Sequence, residues 1–110
     1  MLNVVMSQAA AGLLRALLSR SGSERHRFLL SEIRSVDWQS LTLAGERHSI
    51  QLRIAGPEAN TVANRFVDGI EDAEFVIGGQ IVADIALVRP PRCDFDGSVT
   101  LDLEALTVVE

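Results

Sequence analysis

The side chains best suited to gripping a ligand are Trp38 and Arg53, with Arg47 and His48 between them. A guanidinium beside an indole forms a cation–π pair, and the two together can hold a flat or anionic molecule. Their meeting depends on a hairpin. Residues 38–55 form two alternating apolar and polar runs around Gly45-Glu46. Glycine at the first central position suits a two-residue type II′ turn, where φ must be positive. That turn predicts Ala44 opposite Arg47, Thr42 opposite Ser49, Ser40 opposite Gln51 and Trp38 opposite Arg53, all on one polar face. Leu41, Leu43, His48, Ile50, Leu52 and Ile54 then share the core face. His48 accordingly reads as a core histidine satisfying a neighbour before it reads as a base. The polar face has a plain alternative reading as the solvated side of an antiparallel sheet.

Asp84, Asp102 and Glu104 make a second constellation. The runs 80–89 and 98–109 alternate and predict a pair of antiparallel strands, which places Asp84 opposite Asp102 or Glu104. Like charges across a ladder repel, so an Arg from the first half of the chain is expected to offset them. A divalent ion is the sharper alternative, although an oxygen-ligand site needs more donors than three carboxylates.

The remaining reactive groups are isolated. Cys93 adjoins Arg92, which favours a thiolate, but a nucleophile also needs a base and neither His26 nor His48 is near it in sequence. Two histidines without a further Cys or His at ligand spacing make no zinc signature. Asp94-Phe95-Asp96-Gly97 begins like a calcium loop, but its Gly comes two positions early and no Glu closes it, so it reads as a turn. The sequence contains no G-x-S-x-G, G-x-G-x-x-G or P-loop. The expectation is neither a cofactor nor a catalytic residue.

The elements that would position these residues follow from periodicity. Residues 2–20 predict a helix with a broad apolar arc formed by Leu2, Val5, Met6, Ala9, Leu13, Ala16 and Leu17. Leu14 and Leu18 lie at its edge, which suggests that a second copy of the chain covers part of it. Residues 25–36 fit neither period cleanly, and a strand is favoured over a capped helix because a β region follows. Gly56-Pro57 opens a second helix whose Ala59, Val62, Ala63, Phe66, Val67 and Ile70 form one stripe, with Gly69 as a stop. Residues 74–77 predict a short strand before the turn at Gly78-Gly79. The result is one α+β domain over residues 1–110, in the order α-β-β-β-α-β-β-β. It is a two-layer sandwich of a mostly antiparallel five- to six-stranded sheet with two helices on one face.

Composition narrows the function. The 110 residues carry a net charge of −5. Residues 1–53 hold seven Arg against four acids, and residues 54–110 hold three Arg against eleven acids. The halves have opposite signs, which favours attraction within one molecule or between copies. An acidic chain with dispersed Arg lacks the drive to bind phosphate backbones, so nucleic acid is not an expected partner. A single cysteine excludes an intramolecular disulfide and suits a cytoplasmic location. The first residues lack a basic signal-peptide region, and polar residues interrupt the apolar stretch, so neither export nor a membrane partner is expected. The reading that remains is a small non-catalytic binding or assembly module that self-associates as a homodimer or small oligomer. The alternative is a small-molecule-binding protein or small enzyme with its site near Trp38 and Arg53 or His48, its ligand unspecified.

Overall fold

The computed structural model describes residues 6–110. Leu2 and Val5 of the first helical stripe lie outside them. The described helix α1 (Gln8–Arg20) starts at Ser7, whose Oγ accepts the Ala10 N–H at 3.1 Å and so satisfies one free amide of the first turn. Ala9, Leu13 and Leu17 recur at helical spacing and are buried, while Gln8, Arg15 and Ser19 are exposed. Leu14 and Leu18 also pack against the core, so the edge of the arc is used within the molecule.

A 3-10 stretch, Gly22–Arg27, leads into β1 (Phe28–Gln39), which pairs antiparallel with β2 (Ala44–Ile54). Helix α2 (Ala59–Val67) follows. Arg20 of α1 caps its far end, with Nε donating to the Phe66 carbonyl at 2.8 Å and Nη2 to the Asp68 carbonyl at 2.7 Å. Those carbonyls would otherwise lack intrahelical partners. Gly69 then takes φ 71°, the left-handed conformation that ends a helix. After a 3-10 turn at Ile70–Asp72 come β3 (Gln80–Leu87), the short β4 (Arg92–Cys93) and β5 (Val99–Val109). The sheet order is β1-β2-β5-β3, with β4 pairing to β5, and every pairing is antiparallel.

The fold is therefore the α+β two-layer sandwich that the periodicity predicts, with five strands and both helices on one face. Ile50, Leu52 and Ile54 of β2 and Val99, Leu101, Leu103 and Ala105 of β5 alternate onto that face. They meet Leu13, Leu17, Val62, Ala63 and Phe66 in one buried cluster. Phe28 and Phe66 join the layers, with ring centroids 4.8 Å apart.

Three local expectations are corrected. The hairpin turn lies at residues 40–43, where the Ser40 N–H donates to the Leu43 carbonyl at 2.8 Å and Ser40 Oγ accepts the Leu43 N–H at 3.0 Å. Residues 28–36 and the start of the first hairpin arm are thereby one strand, β1, while residues 25–27 belong to the 3-10 stretch. Trp38 pairs with Gly45 and Arg53 with Leu29, so Trp38 and Arg53 are not cross-strand partners. This register places Phe28, Leu30 and Ile33 opposite Ile54, Leu52 and Ile50 on the core face. Gly45 serves a different purpose from a turn. A Cβ there would lie 1.9 Å from the Thr107 carbonyl oxygen, so only glycine lets β2 approach β5 so closely.

Residues 74–77 form no strand and make one isolated bridge, Ile77 with Gln80. Asp84 lies opposite Leu106 rather than Asp102 or Glu104, which the register sets opposite Val88 and Ala86, and a bulge intervenes between Val82 and Asp84. The bulge has a packing reason. Val82 and Ile85 are three residues apart yet both face the core, and one extra residue reconciles an odd spacing with a period of two. A second bulge, between Leu30 and Glu32, does the same for Leu30 and Ile33 on β1.

Candidate functional site

The helices cover one face of the sheet and leave the other open. Along the open face run Leu29, Glu32, Arg34, Val36 and Trp38 of β1. Beside them are Gly45, Arg47, Ser49, Gln51 and Arg53 of β2, then Thr100, Asp102, Glu104, Leu106 and Val108 of β5, and finally Ile81, Asp84 and Ala86 of β3. The face is zoned. Trp38, Val36, Leu106, Val108 and Ile81 make one end apolar, charged and amide groups fill the middle, and Arg53 stands at the other end.

In the middle, acids are matched by cations. Arg47 donates to Glu104 at 3.4 Å, as expected of a first-half Arg. Asp102 instead takes Arg92 at 2.9 Å, Gln51 at 3.0 Å and, more distantly, Arg89 at 3.9 Å. A depression of 290 Å³ opens here among Glu32, Arg34, Gln51, Arg89, Asp102 and Glu104. Asp84 is exposed and has no cation within ion-pair distance among the described residues, and it lies apart from the other two carboxylates. No cluster of three or more His, Cys, Asp or Glu able to hold a metal occurs among the described residues.

Arg53 is anchored away from Trp38. Its Nε donates to Ser98 Oγ at 2.9 Å and its guanidinium pairs with Asp96. Ser98 also donates from both its hydroxyl and its backbone N–H to Asp96. These Ser98 bonds, assisted by Arg53, hold the Asp96 carboxyl below its ordinary pKa. The Asp94–Ser98 turn is thus self-contained, and its carboxylates are spent on Ser98, Thr100 and Arg53. Sequence reading identified the turn but not the Arg53 link, because turn and arginine are 43 residues apart.

His48 lies on the covered face, fully buried. Nδ1 is 2.7 Å from Ser35 Oγ and Nε2 is 2.8 Å from Thr107 Oγ1, so both ring nitrogens are engaged. Burial lowers its pKa, and Glu46, 4.0 Å from Nδ1, opposes that shift in part. Glu46 also accepts from Ser7 Oγ at 2.5 Å, tying the α1 cap to the sheet. A histidine enclosed in this way can join strands β1, β2 and β5 but cannot reach a solvent-borne substrate. Cys93 is exposed and donates to Asn60 Oδ1 at 3.0 Å, with no histidine partner. His26 lies in the 3-10 stretch on the surface.

The structure thus places Trp38, Arg47 and Arg53 on one face, as their parity predicts, but distributes them along its length. It seals His48 behind the sheet. Four apolar residues stand exposed along the two edges: Leu29 and Val36 on one edge strand, and Ile81 and Val88 on and just beyond the other. Their only sequence signal is their parity, and each bulge inverts that parity.

No protein-family model matches the chain, and no curated protein matches it in sequence. No described helix is long and apolar enough to cross a membrane. Among solved structures the chain is similar to one described as "Virion of native gene transfer agent (GTA) particle". The TM-score is 0.55 and the identity 21%, over 94% of this chain and 93% of that one. At that identity the likeness is one of fold, and it embraces nearly the whole of both chains.

Proposed function

We propose that the chain is a non-catalytic assembly module that acts as a homo-oligomer and builds into a larger protein particle. The observation that carries this reading is the sheet itself, which has one face sealed by helices while its other face is left without a partner among the described residues and its strand order ends at β1 and β3. Apolar side chains on a solvent-facing surface mark association sites more readily than they mark chemistry.

Two further observations support it. The fold is similar, over nearly the whole of both chains, to that of a chain described as part of a gene transfer agent virion particle. The groups that would have to converge for catalysis do not converge, since Trp38 and Arg53 lie at opposite ends of the sheet and His48 is enclosed. The exposed, unpaired Cys93 fits a subunit made in a reducing cytoplasm.

Light scattering coupled to size exclusion, over a rising concentration series, tests the proposal. A mass that climbs with concentration above the 11.9 kDa of one chain is expected. A strict monomer throughout, or a tightly bound small molecule that co-purifies on the open face, would overturn it.

A further inference from the structure

The two edges of the sheet match each other. On β1, Leu29 and Val36 project from the open face and are 51% and 55% exposed; at the opposite edge Ile81 and Val88 do so and are 49% and 51% exposed. Their spacing is the same. Leu29 and Val36 stand level with Arg53 and Arg47 of β2. Ile81 pairs with Val108, and Val88 donates its N–H to Asp102, both on β5. Arg53 to Arg47 and Val108 to Asp102 are six residues each. Each edge strand has one bulge residue between its apolar points, so both cover the interval with the same length of chain.

Direction and hydrogen bonding agree as well. Three antiparallel steps separate β1 from β3, so the two edges run in opposite senses. A second copy set beside the first in the same orientation therefore brings β3 antiparallel to β1. Backbone bonds at Arg27–Ala55 and Ser40–Leu43 on one side, and at Gly79–Glu110 and Val88–Asp102 on the other, fix which residues bond inward. At both edges these are the open-face residues, so the outward-pointing N–H and C=O groups belong to covered-face residues such as Ile33 and Ser35 on β1 and the partly exposed Val82 and Leu87 on β3. Any even register lets them meet.

Side chains select the register. With no slide, Val36 would face Asp84 and Val88 would face Glu32, setting apolar groups against carboxylates. A slide of two residues corrects both. Val36 then meets Ile81, Leu29 meets Val88, and Arg34 of the basic half, which also holds Glu32 at 3.2 Å, meets Asp84 of the acidic half, which has no cation within ion-pair distance among the described residues.

We propose that β1 of one copy pairs with β3 of the next, sliding by two residues, to form a continuous sheet across a head-to-tail interface between copies of this chain. The inference rests on the assembly reading and names its surface. Because the two patches differ, the interface is heterologous, and it propagates into a closed ring or an open filament rather than stopping at a two-fold dimer.

Single-edge blocks test it. Arg34→Asp with Val36→Asp blocks β1, and Ile81→Asp blocks β3; all three sites are exposed, and circular dichroism verifies folding. Each blocked variant alone is expected to be monomeric, and their mixture is expected to form a dimer that grows no further. Arg34→Asp combined with Asp84→Arg is expected to regain association that either change alone weakens. If both blocked variants assemble as the parent does, the edge interface is wrong and the assembly reading stands. If only the β1 block matters, the contact is β1 with β1 and this proposal fails. A monomeric parent would overturn the assembly reading and the interface together.

Discussion

The covered and open faces of this sheet share the same strands yet obey different rules. On the covered face, Leu52, Ile54, Val99 and Leu101 are fully enclosed and meet helix residues at close packing. On the open face, one residue further along each strand, Arg47, Gln51, Asp102 and Glu104 satisfy one another across the ladder and remain in contact with solvent. The enclosed apolar packing therefore lies on one side of a single layer of backbone, and the other side is left exposed. Among the polar side chains on the covered side, His48 and Thr107 form a fully buried hydrogen-bonded pair.

Substitutions should separate the faces. Leu101→Ala on the covered face is expected to cost about 2–5 kcal/mol in urea unfolding, through lost transfer energy and the cavity left behind. A loss below about 1 kcal/mol would mean that the helices do not seal this face. Gly45→Ala places a methyl against the Thr107 carbonyl. Forced overpacking of this kind typically costs about 1–3 kcal/mol, and thermal melting should show it. An unchanged melting temperature would return Gly45 to the role of a turn residue.

His48 tests the comparison by pH. Its folded pKa is depressed below 6.5 by burial, so the unfolded chain binds the proton more readily. The stability contributed by neutral His48 is complete above pH 6.5 and declines as pH falls through 6.5 toward the folded value. Urea midpoints measured between pH 8 and 5 should decline across that window, and His48→Gln should flatten the decline. An equal slope in both proteins would place the pH dependence elsewhere. The smallest effect is expected on the open face. Arg47 and Glu104 are both substantially exposed, and Arg47→Ala should change stability by less than about 1 kcal/mol, as exposed ion pairs usually do. A larger loss in chemical denaturation would show that the open face also stabilises the monomer.

Much of the architecture was legible in advance. The stripe from Ala59 to Phe66 specified α2, and the alternation of Val99, Leu101, Leu103 and Ala105 specified β5 and its inward face, because each period matches one geometry. The segment 25–36 fitted neither period for a reason that is now visible. Phe28, Leu30 and Ile33 are spaced two and then three apart, which is the trace of a bulge at Ser31. Leu41 and Leu43 continued the alternation into what is in fact an exposed turn, and Gly45 offered a competing turn signal. The candidate site suffered most from that competition, since moving the turn carried Trp38 to the far end of the sheet from Arg53.

By itself the sequence determined the class of fold, the covered faces of α2, β2 and β5, and the shared parity of Trp38, Arg47 and Arg53, since local periodicity encodes which side of an element is apolar. Only the tertiary structure decided the register, the two bulges, the enclosure of His48 and the matched apolar points on β1 and β3. Register depends on which distant strand a residue meets and on how closely backbones approach, as at Gly45 and Thr107. Such contacts link positions far apart in the chain and leave no mark on the spacing of near neighbours.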